Sequence, residues 1–176
     1  MAVARMIARG GRSGSIVVVR LAFGDLLLET LQEICRKEKI RNGVVLTGFG
    51  SLTDLAVTGV VGPAFPPRRF YRRQTPRGVE ILAMSGVIAD YHVHVHMVLC
   101  DRRQAFGGHL EPGCRVLSLA EIAIMRVDGI KLARQLDPAT GQKLLQSVRR
   151  YSRSDGGADQ EGSLVTVAKR LRRRRR

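Results

Sequence analysis

All four histidines of this 176-residue chain fall within 18 positions: His92, His94, His96 and His109. The first three alternate with valines. Successive side chains of a β-strand point to opposite faces, so a strand here would place these three imidazoles on one face and the valines on the other. The polar run at 101–104 is typical of a hairpin turn, which would return His109 to the same face.

Three or four neutral imidazoles on one rigid face suit zinc or a similar divalent ion. We therefore predict one divalent metal ion, with zinc as the first choice. The alternative is that exposed histidines only decorate a polar strand face, because the cluster itself contains no carboxylate or thiolate.

An open coordination position on such an ion would polarise a water molecule, as in catalytic zinc sites. Glu80 or Glu121 is then a possible base, but no complete acid–base pair can be read from the sequence. Phosphate-binding glycine motifs and a GxSxG elbow are absent. The glycines at 48–51 and 107–108 are interpreted as tight turns between strands.

The net charge of +15 favours a polyanionic partner. The segment 169–176 supplies seven of the positive charges, and without it the chain still has 23 basic against 15 acidic residues. Stacking on bases is disfavoured, because there is no Trp and only 5% of residues are aromatic. We predict mostly non-specific DNA binding through Lys169, Arg170, Arg172, Arg173, Arg174, Arg175, Arg176, Arg68, Arg69, Arg72 and Arg73. A merely solvated basic surface is the alternative.

The apolar periodicity predicts a helix from Asp25, as its N-cap, to about Ile40, with Asn42-Gly43 as its stop. Its buried face would be Leu27, Leu31, Ile34 and Cys35. Strand patterns cover 15–21, 43–49, 55–61, 79–88, 91–100, 115–127 and 130–135, although 117–125 could instead be helical. A short helix is possible at 142–148.

Residues 63–78 are rich in proline and arginine, which predicts an exposed basic loop. The expected organisation is a flexible leader at 1–13, one folded domain at 14–150, and a disordered linker and basic tail at 151–176. The three cysteines fit small core residues of a reducing compartment. No apolar run reaches the roughly 20 residues of a membrane span, and we expect a cytoplasmic protein with no membrane partner.

Many strands with one clear helix and no βαβ alternation favour an α+β fold, mostly an antiparallel β-sheet packed with a few helices. Six motifs in order then carry a family resemblance: 20–25 (RLAFGD), 48–52 (GFGSL), 79–86 (VEILAMSG), 94–96 (HVH), 107–110 (GGHL) and 111–116 (EPGCRV). Together they resemble the plants-and-prokaryotes-conserved (PPC) domain in its stand-alone prokaryotic type, related to the domain of plant AT-hook nuclear proteins.

This resemblance implies a PPC-like α+β fold, a homotrimer, and a DNA-associated, regulatory role. It also implies a metal site of His94, His96 and His109, with a register using His92 and His94 left open. An Arg-Gly-Arg-Pro AT-hook is absent, so minor-groove reading by that device is not carried over. The alternative function is a zinc-dependent enzyme or a ligand-sensing trimer using the same histidines.

Overall fold

The computed structural model describes residues 6–151, which form nine strands and one helix. In chain order these are β1 Arg12–Ala22, α1 Leu27–Lys37, β2 Asn42–Val61, β3 Arg68–Gln74, β4 Val79–Ala89, β5 His92–Cys100, β6 Ala105–Leu110, β7 Arg115–Asp128, β8 Leu132–Asp137 and β9 Gln142–Ser147.

Seven strands form one antiparallel sheet in the order β1-β7-β2-β4-β5-β6, with β3 also paired to β2. β6 pairs with β2 as well, so the path from β2 through β4, β5 and β6 returns to β2. β8 and β9 form a separate two-stranded hairpin. The predicted α+β class with a mostly antiparallel sheet is confirmed, with one helix among residues 6–151 where a few were expected.

Helix α1 covers one face of the sheet. It buries Leu27, Leu31 and Cys35 against the inward residues of β5 and β7, and Ile34 packs at the margin of this core. The predicted apolar face of the helix is therefore confirmed. Burial of the thiols raises the pKa of Cys35 and of Cys114 to about 11, in keeping with cysteines that act as small core residues.

The predicted ends of the helix are wrong. Asp25 does not cap it, because its carboxylate accepts a hydrogen bond from the Ala22 amide instead, and the Leu27 amide donates to the Cys114 carbonyl. The helix ends at Lys37, before Lys39 takes a left-handed φ of 55°. Asn42 begins β2, and its buried side chain holds the start of β8 by accepting from the Leu132 amide.

β2 is one continuous strand of 20 residues where two strands and a turn were predicted. Gly50 lies at a register shift against β7, and a Cβ there would stand 2.4 Å from the Leu119 carbonyl oxygen. The glycine thus permits a close approach of two backbones within the sheet rather than a reversal of the chain.

Two further predictions are corrected. Residues 63–78 are exposed as expected, but they are not all loop, because β3 pairs with the second half of β2. The prolines of this region lie outside β3, so its ladder loses no amide donor. The segment predicted as a short helix at 142–148 is strand β9, whereas 117–125 belongs to β7 and is extended.

β1 begins at Arg12, inside the expected leader. The expected basic tail at 169–176, and the linker before it except for Tyr151, lie outside the described residues. Within residues 6–151, α1 is too short and too polar to cross a bilayer.

Candidate metal centre

The alternation of side chains along β5 places its histidines on one face of the strand and its core residues on the other. Val93, Val95 and Met97 are buried, whereas His92 and His96 are exposed and His94 is half-buried on the opposite face. The period-two prediction for this segment is confirmed.

The β5–β6 turn is closed by Asp101. Its carboxylate accepts from the Arg103 and Gln104 amides at 2.8 and 3.0 Å and from the Arg77 guanidinium at 2.8 Å. The Arg103 amide is the leading cause that lowers the pKa of Asp101. The hairpin places His109 directly opposite His96, which confirms the prediction that a turn here returns His109 to the histidine face.

Gly107 and Gly108 lie within β6, so their interpretation as a tight turn is wrong. A Cβ on Gly108 would stand 2.7 Å from the Thr58 carbonyl oxygen, and one on Gly107 would stand 2.6 Å from that of Met97. The two glycines let β6 fit closely between β5 and β2, which sets the position of His109.

The donor atoms of His94, His96 and His109 lie within 4.8 Å of one another. Their ring centroids are 4.5 to 5.4 Å apart. Zn–N bonds of about 2.0–2.1 Å place two ligand nitrogens about 3.3 Å apart, so the donors are already close to the spacing that such an ion needs. His92 is outside this group, so the geometry favours the register with His94 and His96.

The buried Nδ1 of His109 has no hydrogen-bond partner among the described residues. A buried polar atom without a partner is costly, and a histidine that binds a metal ion resolves that cost by coordination. The chemistry and spacing of the three imidazoles therefore fit a divalent ion such as zinc.

Glu111 is a carboxylate near this site that the sequence analysis did not assign. Its Oε1 lies 4.0 Å from His109 Nε2 and accepts a 2.9 Å hydrogen bond from the buried Thr58 hydroxyl. The signal was present in the sequence, because Glu111 follows His109 by two positions and so shares its side of the chain. Glu80 pairs with Cys100 at the far end of the β4–β5 ladder, and Glu121 pairs with Arg20 on β1.

The histidines lie in a positive environment. Burial, followed by the positive charge of Arg134, lowers the pKa of His94 to about 4. Partial desolvation also lowers the pKa of His92, although much of its side chain is exposed, with Arg134 and Lys143 contributing. Burial lowers the pKa of His109 in spite of the opposing effect of Glu111.

The Plants and Prokaryotes Conserved domain model, abbreviated PCC, matches residues 8–128 of the chain. This chain belongs to the PPC domain family. The bifunctional protein GlmU of two Synechococcus strains is 35% and 33% identical over 129 and 132 residues, covering 72% and 73% of this chain. The chain spans about a fifth of the length of these curated relatives, since 19% and 20% of their residues are matched.

Solved structures share the PPC fold. A metal-containing protein of Archaeoglobus fulgidus has a TM-score of 0.68 at 21% identity, covering 80% of this chain and 99% of that one. A PPC protein of Pyrococcus horikoshii has a TM-score of 0.67 at 22% identity, covering 82% and 100%. A candidate DNA-binding protein of Ralstonia eutropha has a TM-score of 0.59 at 24% identity, covering 73% and 89%.

The four arginines of β3 do not form one basic face in this PPC domain. Strand alternation separates Arg69 and Arg73 from Arg68 and Arg72. The guanidinium of Arg72 lies 3.9 Å from the centroid of the Phe106 ring, which engages it within the domain. Arg68, Arg69 and Arg73 are exposed.

A cavity of about 450 Å³ lies above the histidines. Its polar lining combines His92, His94 and His109 with Arg69, Arg134 and Lys143. Arg134 and Lys143 belong to the β8–β9 hairpin. No local sequence pattern predicts that this hairpin lies beside the histidines of β5, because the two segments meet only through tertiary contacts. Two larger cavities, of about 650 and 630 Å³, contain no histidine.

Proposed function

We propose that this PPC-domain protein binds one divalent metal ion per chain through His94, His96 and His109, with zinc as the first choice. The observation that carries the proposal is the convergence of three imidazole donors to within 4.8 Å across two paired strands. Imidazole is a good ligand for zinc and related transition metals, and a set without thiolates or bound carboxylates leaves the ion its full charge. When bound, such an ion would supply a Lewis acid for water or an oxygen ligand.

Elemental analysis of the purified full chain, after dialysis against trace zinc at neutral pH, tests this proposal. We expect up to one ion per chain, and H94A and H109A should each abolish retention while the circular dichroism spectrum is unchanged.

H92A is the matched control, because it removes a histidine of the same strand face that lies outside the trio. It should keep the metal. Loss of metal in H92A with retention in H96A would favour the other register, and a metal-free wild type would refute the metal site altogether.

A second function, association with nucleic acid, is favoured by the net charge of +15 and by the relative described as a candidate DNA-binding protein. We propose that phosphate contacts come from the segment 169–176, with a smaller share from the exposed arginines Arg68, Arg69 and Arg73 of β3. Such contacts neutralise the DNA backbone and carry little sequence information.

A further inference from the structure

Three cationic side chains line the cavity above the histidines and make no ion pair within residues 6–151. They are Arg69, Arg134 and Lys143. The ion pairs of the described region use other cations, namely Arg41, Arg77, Arg115, Arg126 and His109. Positive charge is therefore concentrated here without an internal counter-charge beyond Glu111.

Arg134 is the most constrained of the three. It is half-buried, and its Nε is a buried donor without a partner among the described residues. Its one described hydrogen bond is long, 3.4 Å from Nη1 to the Lys143 carbonyl oxygen. A guanidinium that gives up water without gaining an acceptor is unfavourable, and a bound anion would supply the missing acceptor.

The β8–β9 hairpin presents its charges to one side. Arg134 pairs with Leu145 and Lys143 pairs with Leu136, so alternation places the two cations on the same face. Asp137 falls on the other face, where it accepts from the Ala139 amide. Both positive side chains of the hairpin line the cavity, and Asp137 is not among its lining residues.

We infer that this cavity binds a small-molecule anion through an oxyanion group, phosphate or carboxylate, held by Arg69, Arg134 and Lys143 in front of the histidines. Its volume of about 450 Å³ lies within the range of about 300–1,000 Å³ typical of small-molecule sites. A metal ion bound as proposed above would add positive charge beside this site, and that part of the inference rests on the proposed function. The anion site itself is formed by the three cations and does not require the ion.

Calorimetric titration of the zinc-loaded full chain with inorganic phosphate, and separately with succinate, tests the inference and separates the two oxyanion chemistries. R134Q should weaken binding of the preferred anion about 10- to 100-fold, the usual value of a charge-assisted hydrogen bond. K143Q, an exposed position that folding tolerates, should weaken it by a smaller factor. R36Q on α1 removes the same charge far from the cavity and should leave the affinity unchanged.

Equal affinities in R134Q, K143Q and R36Q would overturn the inference, as would wild-type protein that binds neither anion. The same titrations on metal-free protein separate the two proposals. If no zinc is retained but phosphate or succinate still binds in an Arg134-dependent way, the metal proposal fails and the anion site stands. If a short DNA duplex displaces the anion from wild type, and R134Q weakens duplex binding as much as anion binding, the cavity takes backbone phosphate and the small-molecule inference is wrong.

Discussion

The two ring nitrogens of His109 have different surroundings, and this difference suits a histidine that binds a metal ion. Glu111 lies 4.0 Å from its Nε2, and Nδ1 is buried without a partner in the described part of the chain. A carboxylate beside one ring nitrogen fixes the orientation of the imidazole and strengthens the other nitrogen as a ligand. Thr58, in turn, holds Glu111.

We expect E111Q to weaken zinc binding about 10- to 100-fold, because the amide keeps the size of the side chain but loses the charge that orients His109. Competition with a chromogenic zinc chelator measures this affinity. E33Q, on the exposed face of α1, is the control and should bind as wild type does. An unchanged affinity in E111Q would remove Glu111 from the site.

At this scale the sequence predicted the histidine face well and its surroundings poorly. Alternation along β5 is a local property, so His92, His94 and His96 could be placed on one face. The choice of His94 and His96 as ligands came from the family resemblance. Glu111 required the same alternation to be extended one residue beyond β6. Arg134 and Lys143 approach the site through contacts between distant segments, and no local pattern encodes such contacts.

At the scale of elements, α1 depends on a few buried side chains. Leu31 is fully buried between the helix and the sheet. We expect L31A to lower the free energy of unfolding by about 2–5 kcal/mol, through lost apolar burial and the cavity left behind. Urea unfolding followed by circular dichroism measures it. E33A, two positions along on the exposed face, should change the stability by less than about 0.5 kcal/mol.

The predicted strands were most accurate where turns are marked by polar residues, as at the Asp101 hairpin. The strand predictions were wrong where a glycine allows two strands to approach closely and does not form a turn. Gly50 and Gly108 both allow backbones to approach closely, and in sequence they look the same as turn glycines. β9 was misassigned because six residues are too few for apolar periodicity to distinguish strand from helix.

At the scale of the whole molecule, we expect a homotrimer. β1 and β3 have edges without a described partner strand, and large apolar side chains of the sheet are exposed, among them Val18, Phe49, Leu82 and Val98. A closed ring of three would cover such surfaces with one repeated interface. Multi-angle light scattering should report about three chains, and a monomer at every concentration would contradict this.

Binding to duplex DNA should be tight at low salt and nearly indifferent to sequence. Neutralising Z phosphates gives a log–log salt slope of about −0.9Z, so replacing Lys169–Arg176 with serines should flatten the slope and weaken all duplexes by a similar factor. R68Q/R73Q should cause a smaller loss. Fluorescence anisotropy across salt concentrations measures both effects. No binding at low salt, or tight binding to one sequence that salt does not weaken, would contradict this proposal.

The length of β2 has a consequence for how the domain opens. Its first half lies between β4 and β7, and its second half pairs with β3 and β6. β3, β4, β6 and β7 therefore cannot leave the sheet without breaking their pairing with β2. Amide hydrogens of Val44 and Val45 should therefore exchange with deuterium only at the rate of global unfolding, while the β8–β9 hairpin exchanges through local opening.

Circular permutation should succeed with new termini at 138–141 and fail with termini at Gly50.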